Sequence, residues 1–270
     1  MIVIKIGGSI VDGLHESTMQ DIKALINNSE KIAIVHGGGK EVTRIAERLG
    51  KEQRFIVSPG GIRSRYTDKE TVEIYTMVMS GKINKEIVLM LRSNGINAVG
   101  LSGIDADIIR AERKKRLVII DERGRRVAID GGYTGKISKI NASLLFSLLE
   151  QGYTPVISPI ALSDEYEMLN VDGDRAAAYI AGALNADAVI FITNVDGLIM
   201  NDKLVTSLTY DDAKMLLPKI GFGMEKKVLA CTEALSMNVK EAIIASGDRK
   251  DPISSALRHE NCTVISNGRR

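Results

Sequence analysis

The sequence predicts an α/β fold of three layers, in which a mainly parallel sheet is covered by helices on both faces. Continuous apolar runs such as Thr154–Ser158 and Ala188–Thr193 are typical of strands buried on both sides. Between them, the apolar residues of 177–184 recur at the spacing of one helix face. This alternation is the pattern of parallel βαβ units, and 270 residues suffice for one large domain or two lobes.

The first two strands of this pattern each end in consecutive glycines. Residues 2–4 lead into a glycine pair at 7–8, and residues 32–35 lead into a glycine triplet at 37–39. A helical pattern follows each turn, for example at 42–49. Glycine lets the backbone approach a ligand closely, and N–H groups at such turns, backed by a helix N-terminus, bind anionic oxygens. We therefore expect a phosphate to be held, or moved, between two glycine loops.

Other known glycine motifs do not account for these turns. A His-Gly-Gly-Gly loop such as 36–39 also occurs in lipases and esterases, but that interpretation needs a Gly-x-Ser-x-Gly elbow. The nearest candidate, 100–103, lacks the spacing. The Walker A pattern and the Gly-x-Gly-x-x-Gly helix start are absent as well. An ordinary tight turn remains the alternative for a single glycine pair taken alone.

Later elements continue the pattern with one interruption. The segment 144–149 carries another apolar helix stripe, which Gly152 is placed to end. At 117–130 two apolar runs flank a charged turn, which predicts a β-hairpin that projects from the body. From Arg110 to Arg126, eight basic residues stand against three acidic ones, a local net charge of +5 in a chain of net charge +2.

The composition excludes several classes of function. A net charge of +2 does not favour nucleic acid or a membrane surface as the partner, and no apolar stretch approaches the roughly 20 residues of a spanning helix. Strand character already at residue 2 leads us to expect no signal peptide, and two cysteines are too few for a disulfide framework. We expect a cytoplasmic protein. The absence of Trp argues against platforms for carbohydrate or single-stranded nucleic acid.

Three motifs together resemble the amino acid kinase family, and within it the acetylglutamate kinase branch. They are Lys5 with the two glycine turns, Asn-Val-Asp-Gly-Asp at 170–174, and Gly-Met-Glu-Lys-Lys at 223–227. The resemblance extends over essentially the whole chain. It implies a carbamate kinase-like fold with an N-terminal acceptor-binding lobe, 1–172, which includes the hairpin, and a C-terminal nucleotide-binding lobe, 173–270. It also implies ATP with Mg²⁺ as the phosphoryl donor.

Carboxylate phosphorylation is chemistry that these residue types can perform. A side-chain carboxylate with a pKa of about 4.3 is already ionised at neutral pH and needs no general base. The barrier is electrostatic, because two anions must meet, so lysines and backbone N–H groups are the groups required. Only three histidines are present, at 15, 36 and 259, which is consistent with chemistry that does not use them.

The resemblance assigns roles to individual residues. Lys5 and Lys227 would stabilise the transferring phosphoryl group, and Asp174 would orient both lysines. The implied acceptor-binding residues are Gly37, Gly38, Arg65 and Asn170, and Arg63 stays open as the alternative to Arg65. The implied nucleotide-binding residues are Gly7, Gly8, Ser9, Thr193, Asn194, Asp196, Gly197, Gly223 and Met224. No metal site made by protein side chains is expected.

Each of these residues also has a plainer interpretation by itself. Lys226 and Lys227 are typical of a solvated pair, and Asp174 of a helix start. The order of the motifs decides against the plain interpretation for Asp174 and Lys227. Lys226 keeps it, because the family places its lysine three residues after the methionine.

The acceptor motif resembles a specialised branch. Acetylglutamate kinases usually carry Arg-Val-Thr-Asp, whereas this chain has Ser-Arg-Tyr-Thr at 64–67 and Gly-Tyr-Thr-Gly-Lys-Ile at 132–137. The branch acts on 2-aminoadipate, and often glutamate, attached through the amino group to a small acidic carrier protein of the LysW type, in lysine biosynthesis and in some archaea arginine biosynthesis. The basic hairpin would steer an acidic protein substrate. A solvated hairpin or a nucleic-acid contact is the alternative.

Two other functions stay open at the level of the sequence. Free N-acetylglutamate is the rival acceptor, in arginine biosynthesis. A non-catalytic amino-acid-binding regulator of the same fold is the rival class, although it would not need Lys5, Asp174 and Lys227. From the resemblance we expect a homodimer, formed through the N-terminal lobe, and no hexamer of the arginine-inhibited kind.

Overall fold

The computed structural model describes residues 1–8, 16–221 and 223–268. Numbered along the chain, its strands are β1 Ile2–Ile6, β2 Ile32–His36, β3 Phe55–Val57, β4 Arg63–Arg65, β5 Ala98–Ser102, β6 Ile109–Arg113, β7 Arg116–Ile120, β8 Arg126–Asp130, β9 Gly135–Ile140, β10 Thr154–Ser158, β11 Ile160–Leu162, β12 Met168–Asn170, β13 Ala188–Thr193, β14 Ile199–Met200, β15 Lys203–Leu204, β16 Ser207–Thr209, β17 Glu241–Ser246 and β18 Thr263–Ser266. The helices that it describes are α1 Glu16–Asn27, α2 Gly39–Arg48, α3 Lys69–Thr76, α4 Asn84–Ser93, α5 Ser143–Glu150, α6 Gly173–Ala183, α7 Tyr210–Leu216, α8 Met224–Ser236 and α9 Pro252–Leu257.

An eight-stranded sheet forms the centre of the molecule, in the order β16-β18-β17-β13-β1-β2-β10-β5. Neighbouring strands are parallel except β17 and β18, which run antiparallel. The prediction of a mainly parallel sheet is therefore confirmed. Because parallel strands bring their carboxyl ends to one edge, the loops that follow β1, β2, β13 and β17 lie near one another.

The two faces of this sheet carry separate apolar clusters, which confirms the three layers. Successive residues of a strand point to opposite faces. Val3 and Val35 pack with side chains of α6 and α8 on one face. Ile4 and Ile34 pack with side chains of α1, α4 and α9 on the other. Burial of both faces explains why β1, β2 and β13 are apolar without interruption.

Smaller sheets extend from the carboxyl edge. One has four strands in the order β12-β11-β6-β9, and three are two-stranded: β3-β4, β7-β8 and β14-β15. The predicted hairpin is confirmed as β7 and β8, which pair from Arg116 with Asp130 to Ile120 with Arg126. Its turn is held by Asp121, whose side chain accepts backbone N–H groups of Arg123 and Arg125. β7 also packs beside β3, so the hairpin is attached to the second one.

The helices predicted from apolar spacing are present, with one element that spacing did not indicate. The stripes at 42–49, 144–149 and 177–184 correspond to α2, α5 and α6. Between α3 and α4 the chain forms a π-helical stretch at Met77–Ile83, which faces the glycine triplet. In the part of the chain described, no helix combines the length and apolar character needed to cross a membrane.

Candidate active site

The two glycine loops meet at the carboxyl edge of the sheet. β1 and β2 are parallel neighbours with Ile6 opposite His36, so both chains reach their glycines at the same level. A Cβ atom on Gly8 would lie 2.7 Å from the amide nitrogen of Gly38, and one on Gly37 would lie 2.7 Å from the amide nitrogen of Gly8. Real Cβ atoms do not approach so closely, so this contact requires glycine on both sides.

The glycine triplet is fixed from two directions. The N–H of Gly37 donates to the carbonyl oxygen of Ile6 at 2.8 Å, so this N–H is used within the fold. Gly38 lies against the π-helical stretch, where a side chain would overlap Ile83. The sequence prediction placed a ligand against Gly37 and Gly38. The geometry leaves the Gly38 amide, beside Gly8, as the better placed donor.

His36 packs beneath the surface, against the glycine triplet that follows it, and is not placed for proton transfer. It is fully buried, with Nδ1 3.0 Å from the Gly37 carbonyl oxygen and Nε2 3.3 Å from Asn84 Nδ2. Burial lowers the pKa of His36 to about 4, and the charges of Lys5 and Lys85 oppose protonation further, against the carbonyl contact with Gly37. The imidazole is therefore neutral at neutral pH.

Asp174 holds two lysines that come from different parts of the fold. Its Oδ1 lies 2.7 Å from the Lys5 ammonium on β1, and its Oδ2 lies 3.0 Å from the Lys227 ammonium on α8. The side chains are 8%, 9% and 14% exposed for Asp174, Lys5 and Lys227. The structure thus brings together the three residues predicted to be catalytic.

The protonation states of this group follow from burial and charge. Burial would raise the pKa of Asp174, but Lys5 and Lys227 outweigh it and bring the pKa down to about 2. Burial lowers the pKa of Lys227, and Lys5 lowers it further, against the attraction of Asp174. One ionised carboxylate and two ammonium groups leave a positive charge at the carboxyl edge.

Asp174 does not cap the helix in whose first turn it lies; Asp172, two residues earlier, does. Asp172 is the N-cap of α6, and its Oδ1 accepts the N–H groups of Asp174 at 3.0 Å and Arg175 at 3.1 Å. The Asp174 side chain is therefore free to face the lysines.

Arg65 is oriented by contacts with the start of α2. Its guanidinium donates to the Gly39 carbonyl oxygen at 2.7 Å, to Thr43 Oγ1 at 2.9 Å, and to Gln53 Oε1. Arg63, two residues earlier, is exposed and stacks over the Phe55 ring at 4.2 Å. Arg65 lines the cavity described below, and Arg63 does not.

The segments 64–67 and 132–137, which distinguish the acceptor motif of this chain, contact each other and are both bonded to Asn170. Its side-chain amide donates to Thr67 Oγ1 at 2.9 Å, and its backbone N–H donates to the Tyr133 carbonyl oxygen at 2.9 Å. The N–H of Tyr133 in turn donates to the Thr67 carbonyl oxygen at 2.7 Å. Segments far apart in the sequence therefore form one wall.

The residues predicted to bind the nucleotide lie in loops at the same edge, beside β1. Thr193 ends β13, and the loop of Asn194, Asp196 and Gly197 follows it. Gly197 lies against Thr263, where a side chain would overlap the threonine hydroxyl. Gly223, at a φ of 88°, precedes Met224 at the start of α8. Gly7 donates its N–H to Ile192, and Ser9 lies outside the described residues.

A cavity of about 420 Å³ connects the glycine triplet, Lys5 with Asp174, and the two hairpins, β3-β4 and β7-β8. Five basic side chains line it against two acidic ones, so it suits an anionic ligand. No motif indicated a ligand contact for four of its polar lining residues, namely Tyr75, Lys114, Arg175 and Lys226. Lys226 is not simply solvated, because its ammonium donates to the Arg63 carbonyl oxygen at 2.8 Å.

No group of three or more His, Cys, Asp and Glu side chains is close enough to hold a metal ion in the ranges 1–8, 16–221 and 223–268. The two carboxylates of the cavity are already engaged, Asp174 by lysines and Asp172 by the α6 backbone. A metal ion in this site would have to bring most of its ligands with it.

Comparison with known proteins agrees with this site. The model of the amino acid kinase family matches residues 1–246. The chain belongs to the amino acid kinase family. The fold agrees as well: N-acetylglutamate synthase from Neisseria gonorrhoeae superimposes with a TM-score of 0.81 at 20% identity, over all of this chain and 60% of that one.

Two curated relatives match over nearly their full length. A protein of Saccharolobus solfataricus named LysW-aminoadipate/LysW-glutamate kinase is 45% identical, over 99% of this chain and 100% of its own. A protein of Nitrosopumilus maritimus, provisionally given the same name, is 66% identical over 98% and 99%. The predicted membership of the amino acid kinase family is confirmed. ATP is therefore the expected phosphoryl donor.

The lysine pair of this family member can be tested directly. We expect Lys5→Ala and Lys227→Ala each to lower kcat by about 100-fold or more, because each removes one preorganised cation from the carboxyl edge. The measurement is the rate of acyl phosphate formation, trapped with hydroxylamine, at saturating ATP.

A matched control is Lys31→Ala. Lys31 also forms an ion pair, with Glu150, but it precedes β2 and lies at the opposite edge of the sheet. The kcat of the Lys31→Ala variant should stay close to that of the wild type. Near-normal turnover in either Lys5→Ala or Lys227→Ala would remove that lysine from phosphoryl transfer.

Proposed function

We propose that this chain is an ATP-dependent kinase for the side-chain carboxylate of 2-aminoadipate or glutamate, carried through its amino group on an acidic carrier protein of the LysW type. The product would be an acyl phosphate, in lysine and also arginine biosynthesis. The observation that carries the proposal is the buried Lys5–Asp174–Lys227 group, of which Lys5 and Asp174 line a cationic cavity together with the glycine triplet. The names of the 45% and 66% identical relatives support the choice of acceptor.

Phosphoryl transfer would proceed between the two glycine loops. The acceptor carboxylate is ionised at neutral pH and attacks without a general base, while Lys5 and Lys227 neutralise the charge that two approaching anions share. Amides of Gly8 and Gly38 would donate to the phosphate and to the attacked carboxylate. Asp174 would keep both ammonium groups at fixed positions before the substrates arrive.

The acceptor would be held by its other carboxylate. Arg65 is fixed on one side by Gly39 and Thr43, so its planar fork meets an incoming carboxylate with little loss of side-chain entropy. Asn170 lies in the same cavity and would supply a second polar contact. Residues 1–172 would thus hold the acceptor.

Residues 173–270 would hold ATP through the loops after β13 and before α8. Asn194, Asp196 and Gly197 would contact the nucleotide, with Gly223 and Met224 near the phosphates. Mg²⁺ would enter with ATP and neutralise phosphate oxygens, held mainly by those oxygens and water, which its reluctance to lose water favours. The engaged carboxylates of Asp172 and Asp174 fit this arrangement.

The hairpin gives the carrier protein a place to bind. Leu117, Val118 and Ile119 of β7 line the cavity, so the basic hairpin borders the acceptor site itself. Arg123 and Arg126 are exposed and have no acidic partner within the described part of the chain. Arg125 differs, because Asp121 pairs with it at 2.8 Å. A homodimer formed through residues 1–172 is a further proposal, from family resemblance.

An assay with three acceptors tests the proposed reaction. We expect ATP turnover with carrier-bound aminoadipate or carrier-bound glutamate at a kcat/KM at least 10-fold above that with free N-acetylglutamate, because only the carrier can use the hairpin. The measurement is ADP release together with acyl phosphate formation. Preference for free N-acetylglutamate would assign the chain to acetylglutamate kinase chemistry, and no turnover with any acceptor would favour a binding regulator.

Arg65 and Arg63 offer a second test, of acceptor binding. Lysine cannot replace the two-pronged grip of a guanidinium on a carboxylate. We expect Arg65→Lys to raise the acceptor KM by about 10-fold or more, with the ATP KM nearly unchanged. Arg63→Lys is the matched control, since Arg63 lies outside the cavity. A larger effect of Arg63→Lys would reverse the assignment.

The docking of the carrier can be tested through charge. We expect Arg123→Glu combined with Arg126→Glu to lower kcat/KM for the carrier-bound acceptor by about 10-fold at low salt, by weakening electrostatic steering. The wild-type rate should fall as salt rises, because exposed charges are screened over about 10 Å at 0.1 M. Turnover of a small N-acetyl acceptor should not change.

The control makes the same charge change elsewhere. Arg48→Glu with Arg92→Glu alters two exposed arginines at the ends of α2 and α4. If this pair slows carrier turnover as much as the hairpin pair does, net charge and not the hairpin attracts the carrier.

A further inference from the structure

Lys114 is the one basic side chain of the cavity whose charge has no partner in the described residues. Lys5 faces Asp174, Arg175 pairs with Glu233, Arg65 is held by three acceptors, and Lys226 reaches a carbonyl oxygen. The Lys114 ammonium, in contrast, makes no ion pair or hydrogen bond with residues 1–8, 16–221 or 223–268, although Lys114 lines the cavity and is half-buried.

The main chain at Lys114 is held in place, so its position beside the cavity is built into the fold. Its N–H donates to the Thr134 carbonyl oxygen at 2.9 Å. Gly131 packs so closely that a side chain there would overlap the Lys114 carbonyl oxygen. The next residue, Lys115, is exposed and does not line the cavity.

The surroundings of Lys114 favour the arrival of an anion. Burial lowers the pKa of Lys114, and the nearby Arg175 and Lys136 lower it further, against a weaker attraction from Asp172. The half-buried Lys114 ammonium, which has no partner among the described residues, therefore gains from an anionic ligand that accepts its hydrogen bonds.

We propose that Lys114 forms a subsite for a carboxylate on the acyl side of the acceptor, next to the amide that joins the amino acid to its carrier. The subsite rests on the proposed function, in which the transferring phosphoryl group meets Lys5 and Lys227 and the amino acid's own carboxylate meets Arg65. Lys114 lies at the base of the hairpin, between β6 and β7, where the chain of a carrier would enter the cavity.

This subsite distinguishes acceptors by chemistry. An N-acetyl group carries no charge and leaves Lys114 unpaired. An acyl group that carries a carboxylate near this amide would pair with Lys114, and a charge-assisted hydrogen bond to it favours that acceptor by about 10- to 100-fold. The cavity itself would then favour a carried amino acid over a free one, independently of contacts with the hairpin tip.

Two small acceptors isolate the subsite from carrier docking. They are N-acetyl-2-aminoadipate and N-succinyl-2-aminoadipate, which differ by a carboxylate on the acyl group. We expect the wild type to prefer the succinyl acceptor by about 10-fold or more in kcat/KM, and Lys114→Met to remove that preference while the ATP KM and the thermal unfolding midpoint stay near wild-type values. Lys114→Arg should restore part of the preference.

The matched control is Lys115→Met, which removes the neighbouring exposed lysine and should keep the succinyl preference. Equal losses for both acceptors in Lys114→Met would place Lys114 on the amino acid itself and overturn the proposal. A wild type without a succinyl preference would overturn it as well, even if carrier-bound acceptors are phosphorylated. Failure of the proposed function is a different result, in which the carrier-bound acceptors are not turned over at all.

Discussion

The buried ion group of Lys5, Asp174 and Lys227 is the constraint on which the site depends. Two ammonium groups in a low-dielectric pocket would repel each other strongly without the carboxylate between them. Asp174 offsets part of that repulsion, and the group keeps a net positive charge before any substrate binds. The contacts at 2.7 and 3.0 Å also join strand β1 to helices α6 and α8, so catalytic geometry and packing of the layers are fixed together.

The acceptor side of the cavity is assembled from segments that are distant in sequence. Thr67, Tyr133 and Asn170 join one another by hydrogen bonds of 2.7 to 2.9 Å. Lys226, next to Lys227 in sequence, reaches the main chain of β4, which carries Arg65. The wall with Arg65 and the ion group are therefore connected, and β7 lines the same space.

Sequence patterns were sufficient for the layers, because a strand buried on both faces has to be apolar along its whole length. The ion group of Lys5, Asp174 and Lys227 was predicted from the family resemblance, because the three residues stand in motifs whose order along the chain matches that family. Sequence patterns could not separate Arg63 from Arg65. The two differ in their contacts: the Arg65 guanidinium donates to Gln53 and to the Gly39 carbonyl oxygen at the start of α2. The sequence did not single out Lys114 for a similar reason. Within a basic run it resembles its neighbours, and it differs from Lys115 only because its side chain lines the cavity.

The contact between the two glycine loops limits how this protein can evolve. Every single substitution of glycine adds at least one carbon, and Gly8 and Gly37 have backbone atoms 2.7 Å from where that carbon would stand. At Gly81 and Gly221 the same position has no atom within 4 Å. Glycines of one chain thus differ sharply in mutational tolerance. Variation in acceptor preference within such a lineage must arise at the cavity walls, while the floor between the loops stays unchanged.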